Sequence, residues 1–282
     1  MTDLKKRKKK TLQNSKKKNV NIVPRLPLAL EGRYNRFLNS IVDFTFKEFK
    51  SKFKGLKTNI NKQIDKTNIK QDKNEVEDIV AIFLLLNRIV AKNFSTRFIK
   101  AQLTNIFNST NEFNRLEQAR MINLQVSGGL TTAEIQNNLI LGNTSRNITA
   151  TKQMFIANNT KLIKSIPQQF LDNLQKDIFQ ATQTEQDLKD LPAKINKRYK
   201  VSLKKAKVIA KDQINKLNGN LAKQRQKDLG LEEYIWHTVG DSRVRTSHAV
   251  RNGKTFRWDG NHLHPSEDFG CRCIAIPKLK QK

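Results

Sequence analysis

Between Glu31 and Leu56, apolar side chains recur at three- and four-residue intervals: Phe37, Leu38, Ile41, Val42, Phe44, Phe46, Phe49 and Phe53. That rhythm predicts an amphipathic helix, with the rings in its core rather than offered as a stacking platform for bases. The polar stretch Asn59 to Asn74 reads as a linker. A second long helix is predicted over 74–107, with Val76, Ile79, Val80, Phe83, Leu86, Ile89, Val90, Phe94, Phe98 and Leu103 facing inward. Gly128-Gly129 breaks the chain, and Thr131 with Glu134 has the spacing of a capping box that opens a short helix. Met154, Phe155, Leu162, Ile163, Ile166, Phe170, Leu171, Leu174 and Ile178 predict two helices hinged near Pro167, placed as a first-turn proline. The last helix is the most regular. Ser202 is positioned to cap it, and Leu203, Ala206, Ala210, Ile214, Leu217 and Leu221 share one face. Its other faces carry Lys204, Lys205, Lys207, Lys211, Lys216, Lys223, Arg225 and Lys227, and Gly230 stands where a left-handed cap ends a helix.

After Gly230 the period changes. Tyr234-Ile-Trp-His-Thr-Val alternates like a strand, Thr255-Phe-Arg-Trp is a second extended piece, and Cys271-Arg-Cys-Ile-Ala-Ile is a third, bounded by Gly270 and Pro277. The pattern therefore predicts a mainly α (α+β) fold: an extended helical body with a small, irregular, β-rich C-terminal cap.

Charge adds a partner class to this picture. Lys and Arg number 54 against 25 Asp and Glu, a formal net charge of +29 over 282 residues. Such a surplus opposes compaction and favours a polyanion, with nucleic acid first. Residues 1–25 contain Lys5, Lys6, Arg7, Lys8, Lys9, Lys10, Lys16, Lys17 and Lys18 and few apolar side chains, the composition of a disordered basic arm. That arm is either a salt-dependent, sequence-blind contact to DNA phosphates or a solubilising tail. The lysine-rich faces of the last helix divide in the same way, between a solvated surface and one turned to DNA or an acidic partner. The longest apolar run, Ile79 to Leu86, is shorter than the roughly 20 residues a membrane span needs, so no membrane partner is expected. The basic N-terminus is followed by no apolar core of a secretory signal, so export by that route is not expected.

All four histidines, both cysteines and both tryptophans fall between Trp236 and Cys273. Cys271 and Cys273, two apart on an extended segment, point to one side, and His248 and His264 are candidates to complete a four-ligand site. Zinc suits mixed Cys/His coordination and would staple a cap short of apolar residues. The competing reading makes the two thiols small buried hydrophobes. Asp241, Arg243 and Arg245 alternate, and a carboxylate flanked by guanidiniums reads as a structural clamp rather than a catalytic centre. His237 is expected on the outer face of a strand and His262 in a loop. A metal-dependent nuclease built on Asp241, His248, His264 and the thiols is a rival, but no acidic metal cluster supports it. A non-viral basic DNA-binding protein with a zinc-stabilised cap is another.

The ordered series Ile209-Ala-Lys-Asp-Gln-Ile-Asn-Lys-Leu-Asn-Gly, Gly240-Asp-Ser-Arg-Val-Arg-Thr-Ser-His, Asn252-Gly-Lys-Thr-Phe and His264-Pro-Ser-Glu-Asp-Phe-Gly-Cys-Arg-Cys resembles the phage minor head protein family typified by protein F of phage Mu. The resemblance covers about residues 150–277. Composition, periodicity and the resemblance together divide the chain into the arm (1–25), a helical N-terminal region (26–150), a Mu F-like region (151–277) with helices to 230 and the cap over 231–277, and a basic tail (278–282). It implies a non-enzymatic virion component at the portal vertex or inside the head, present in the host cytoplasm during assembly. The partners it implies are the portal protein and packaged double-stranded DNA, with the major capsid or scaffolding protein as further candidates. Its implied role is head assembly or genome delivery. Some members carry a toxin-like domain after this region, and the five residues beyond Pro277 are expected to hold none.

Overall fold

A computed structural model describes residues 21–64, 73–126, 146–181 and 185–279. Five long helices come first: α1 (Leu28–Ile64), α2 (Lys73–Asn93), α3 (Thr96–Gln125), α4 (Arg146–Ala181) and α5 (Glu185–Asp228). Strand β1 (Glu233–His237), a single helical turn α6 (Thr246–Ala249), β2 (Thr255–Arg257) and β3 (Ile274–Pro277) follow. The fold is mainly α with a small C-terminal sheet, as the pattern predicts. The basic cluster Lys5 to Lys18, Gly128-Gly129 and the Thr131/Glu134 box lie outside the described residues.

Two compact units can be distinguished, each built from segments of the same long helices. One comprises Arg33–Leu103 and Asn158–Ala210, the other the described parts of Met1–Gly32, Thr104–Ala157 and Lys211–Lys282. The first is all-helical. Phe49, Phe83, Leu86, Phe170, Leu174 and Ile195 form its core, and Phe46 stacks on Tyr199 at 4.2 Å between ring centres. The Tyr199 hydroxyl donates to Asp43 at 2.7 Å, and Asp177, itself buried, holds Arg198 with two hydrogen bonds of 2.8 and 2.9 Å.

Four helix boundaries differ from the pattern. The polar stretch after Asn59 does not end α1, which runs to Ile64. The helix predicted over 74–107 is two helices, because Phe94 and Ser95 leave the helical path and Ser95 Oγ then accepts the Phe98 N–H at 3.3 Å to start α3. Apolar periodicity continues across that break and hides it. Pro167, read as a hinge, lies inside the continuous α4. Proline removes a backbone donor and costs helix stability, but Ile166, Phe170, Leu171 and Leu174 on either side are buried, and packing overrides the local preference. Ser202 is likewise interior to α5, which begins at Glu185 and also contains Pro192.

The C-terminal end of α5 behaves as its glycine requires. Gly230 has φ 73°, its N–H donates to Lys227 O at 2.9 Å, and the Leu231 N–H reaches back to Gln226 O at 2.9 Å, which is the Schellman arrangement. Leu231 then packs with Ile122, Val126 and Leu279, which fixes the turn into β1.

The sheet is antiparallel with order β2-β1-β3. Tyr234 pairs with Phe256 and Pro277, and Trp236 with Ala275. Alternation along β1 sends Tyr234 and Trp236 to a face shared with Trp258, Cys271 and Cys273, while Ile235 turns toward Ile22, Met121 and Ile276. His237 lies half-buried on the same side of the strand as Ile235, where burial lowers its pKa. β3 is an edge strand, all four of whose residues are buried. Its outer carbonyls are satisfied by helix side chains: Gln226 Nε2 donates to Ala275 O at 3.0 Å and Gln125 Nε2 to Pro277 O at 2.8 Å.

Residues 21–25, assigned above to the basic arm, are tied down. Ile22 is buried against Met121 and Ile276, the Arg25 N–H donates to Glu117 at 2.9 Å, and Arg120 donates to Val23 O at 2.8 Å. An arm boundary at 25 is therefore too late, because Ile22 supplies the apolar burial that the lysine clusters lack.

Candidate functional site

Everything chemical in the C-terminal region lies in one of the two units, on α5 and the loops around β1. Asp212, on α5, accepts the Gly270 N–H at 2.7 Å and is held in turn by Lys216 at 2.9 Å. Gly219, one helical turn past Asn215 on α5, lets the 265–266 turn rest on the helix. A Cβ there would sit 2.7 Å from Ser266 Cβ and 2.9 Å from Pro265 O. Ser266 adopts φ 70°, uncommon for a residue with a side chain, and its Oγ donates to Cys273 O at 2.8 Å. The loop carrying the cysteines is thus fastened to α5 before any ligand is considered.

The clamp differs from its expected membership. Arg243 donates to Asp241 at 2.7 Å, but the second guanidinium on that carboxylate is Arg272, at 2.5 and 2.7 Å to the two oxygens. Arg272 and then Arg243 hold the Asp241 carboxyl well below the ordinary aspartate range by hydrogen bonding. Arg245 goes elsewhere, to Asp268 at 2.9 Å and to Phe269 O at 2.6 Å. Alternation put Arg243 and Arg245 on one face only if the segment were extended. It turns instead, and the chain enters α6 directly after Arg245.

That turn delivers His248. The ring is buried, edge-on to Trp236 with 5.4 Å between centres. Its Nδ1 lies 3.5 Å from Cys271 Sγ and 3.6 Å from Cys273 Sγ, and its Nε2 lies 3.6 Å from Asp268 Oδ2. The cysteines are free thiols just ahead of β3 rather than on it. A hydrogen bond from Cys273 lowers the Cys271 thiol to about 6, and the same bond, with burial, pushes Cys273 upward. The buried Trp236 Nε1–H meets no acceptor at hydrogen-bonding distance. Three of the four residues named as candidate ligands are therefore together: the donor atoms of His248, Cys271 and Cys273 all lie within 4.8 Å of one another.

His264 is outside that group. Its Nδ1 faces the Tyr234 hydroxyl at 2.9 Å, and the same hydroxyl lies 3.1 Å from His262 Nε2. Burial, and then the nearby Lys223 ammonium, lower His264 to about 4 and keep the ring neutral. Glu267 accepts the His264 backbone N–H at 2.8 Å and pairs with Lys223 at 3.1 Å, so His264 stands in an aromatic and hydrogen-bonded stack with Trp258 and Tyr234.

The Asn252-Gly-Lys segment also has a structural reason. Asn252 Oδ1 accepts the Thr238 N–H at 2.9 Å, Gly253 at φ 76° donates to Trp236 O at 2.8 Å, and Lys254 O accepts the Trp236 N–H at 2.9 Å. The separated pieces of the sequence series therefore interlock: Asp241 with Arg272, His248 with Cys271 and Cys273, and Asp212 with Gly270. Sequence reasoning missed Arg272, Asp268, Tyr234 and Gly219. Arg272 was visible as the cation inside Cys-Arg-Cys, and Gly219 as a glycine within a regular helix; Asp268 and Tyr234 carried no local signal.

Arg225, placed above among the exposed cations of α5, is instead buried. It donates to Asn114 Oδ1 at 2.7 Å and to Asn111 Oδ1 at 2.5 Å, and burial lowers its pKa to about 10. Among the α5 lysines, Lys204, Lys205, Lys207 and Lys227 are exposed, whereas Lys216 and Lys223 are half-buried and paired.

Comparison with known proteins matches part of the chain to a described family. Residues 172–276 match a family described as phage Mu protein F like protein. A protein of Haemophilus influenzae of uncharacterised function is 41% identical over 138 residues, which is 48% of this chain and 31% of that protein. The chain thus spans about a third of the length of that curated relative. No solved structure matches the chain.

Proposed function

With residues 172–276 matching the phage Mu protein F like family as the premise, we propose that the chain is a structural minor capsid protein of a tailed phage, acting in head morphogenesis. The observation that carries this reading is the match itself. Within the matched segment, the pieces of the series contact one another as a scaffold: Asp241 neutralises Arg272, Asn252 pins a strand end, and Asp212 anchors Gly270. Such groups hold loops in place, and the family to which the segment is similar is a structural one, so the chain is read as non-enzymatic.

Its place, in this reading, is the portal vertex or the head interior, with the portal protein and packaged double-stranded DNA as partners. A net charge of +29 favours a site beside a dense polyanion, and Lys204, Lys205, Lys207 and Lys227 are each exposed on α5. No single helix among the described residues is long and apolar enough to cross a membrane.

Two experiments test the reading. Mass spectrometry of purified phage heads is expected to find this polypeptide at a few copies per particle, together with the portal protein, and pull-down of tagged portal protein is expected to retain it. Heads that form normally and contain none of it would overturn the assignment. Incubation of the full chain with plasmid DNA and magnesium, manganese or zinc is expected to leave the plasmid intact. Cleavage that disappears in His248→Ala would replace the structural reading with a nuclease.

A further inference from the structure

The sulfurs of Cys271 and Cys273 and Nδ1 of His248 converge on one buried point. The N-to-S separations are 3.5 and 3.6 Å. In a tetrahedral zinc site, Zn–N near 2.0 Å and Zn–S near 2.3 Å place a nitrogen and a sulfur ligand about 3.5 Å apart. The imidazole nitrogen therefore already stands at the spacing of a bound ligand from each sulfur, and all three donor atoms lie within 4.8 Å of one another.

The surroundings agree with a metal centre in two further ways. A metal-bound imidazole usually offers its second nitrogen to a carboxylate, which fixes the tautomer and aims the lone pair. Here Nε2 of His248 is 3.6 Å from Asp268, on the side of the ring away from the sulfurs, and Arg245 holds Asp268 in turn at 2.9 Å. Two thiolates and an imidazole are a borderline-soft donor set, suited to zinc rather than to magnesium or calcium.

We infer that His248, Cys271 and Cys273 hold one zinc ion that pins the α6 turn to the segment entering β3. Among the described residues no other His, Cys, Asp or Glu donor joins these three, so the fourth position is left to a water or another small ligand. Binding displaces the thiol protons of both cysteines to solvent, and no electron transfer is involved. The chain between β1 and β3 crosses only three residues of paired strand in β2, and the metal would join its early turn to its end.

The test uses the intact chain. Protein purified without chelator is expected to carry about one zinc per chain by elemental mass spectrometry. Exchange with cobalt(II) should give the strong visible bands of a four-coordinate site and a near-ultraviolet sulfur-to-cobalt charge-transfer band. Cys271→Ser and Cys273→Ser should each weaken that band and lose at least tenfold in metal affinity, the double variant should lose the band, and His248→Gln should lose affinity likewise. His264→Gln, whose ring faces Tyr234, should keep both. Because a cysteine variant can fail for lack of folding, the wild-type chain decides. Folded wild type that holds no zinc and gives no cobalt–sulfur band overturns the site, leaving a hydrogen-bonded Cys–Cys–His cluster. So does full metal occupancy in the folded cysteine variants.

Discussion

At the scale of single residues, the C-terminal unit depends on polar side chains that are buried and paired. Arg225 is 1% exposed, and its guanidinium leans on Asn111 and Asn114, the latter also donating to Asn218 Oδ1 at 2.9 Å. Asn114→Ala removes an acceptor from a buried cation, so it should cost about 2–4 kcal/mol in urea unfolding. Combined with Arg225→Met it should show a coupling on the order of 1 kcal/mol or more, since both changes disrupt one network. His264 makes a prediction in pH. Burial and Lys223 put its folded pKa at about 4 against 6.5 when free. Between those values the unfolded chain binds a proton that the folded chain refuses. The stability owed to the neutral ring is therefore complete above about 6.5 and lost as pH falls toward 4. Glu267 acts in the same direction: burial opposes its ionisation, but the His264 N–H and Lys223 prevail and lower its pKa. Thermal melting should fall between pH 7 and pH 4.5, and His264→Gln should flatten that dependence without abolishing folding.

At the scale of elements, two glycines on or beside α5 do different work. Gly230 needs its left-handed φ of 73° to close the helix; Gly230→Ala should destabilise by about 1 kcal/mol through backbone strain. Gly219 is helical, and its constraint is space. Ser266 Cβ and Pro265 O would lie under 3 Å from any Cβ, and both belong to a turn rather than to a flexible side-chain end. Gly219→Ala should cost about 1–3 kcal/mol by pushing that turn off the helix, with Gly219→Val worse. Protease cleavage within 260–273 should rise in parallel, because the same turn fastens the Cys-Arg-Cys loop. If Gly219→Ala melts like the wild type and resists protease equally, the close contact between α5 and the turn is not formed in solution.

At the scale of the whole molecule, charge sets the behaviour. Residues 1–20 carry nine cationic side chains, and each phosphate neutralised adds about 0.9 to the slope of log affinity against log salt. Full-length protein should bind long duplex DNA with a steep salt dependence, and deleting residues 1–20 should reduce that slope by up to about 8. A slope unchanged by the deletion would make the arm a solubilising tail. How much of this was written in the chain itself depends on the range of the interaction. Helical periodicity in 31–56 and 203–221, the left-handed stop at Gly230 and the change to strands after it are local, because a helix or a turn is decided by neighbours a few residues apart. The clustering of histidine, cysteine and tryptophan also marked the chemical region in advance. Interruption of helices was misjudged where burial outweighed propensity, at Pro167, and where an apolar stripe ran through a break, at Ser95. The partners of the site were beyond local reach: Arg272 replaced Arg245 on Asp241, Arg225 went inside, and His264 turned to Tyr234 instead of the thiols. These pairings join residues between about 30 and more than 100 positions apart. They are selected by which loops α5 and the three-stranded sheet bring together, a choice that only the packed chain makes.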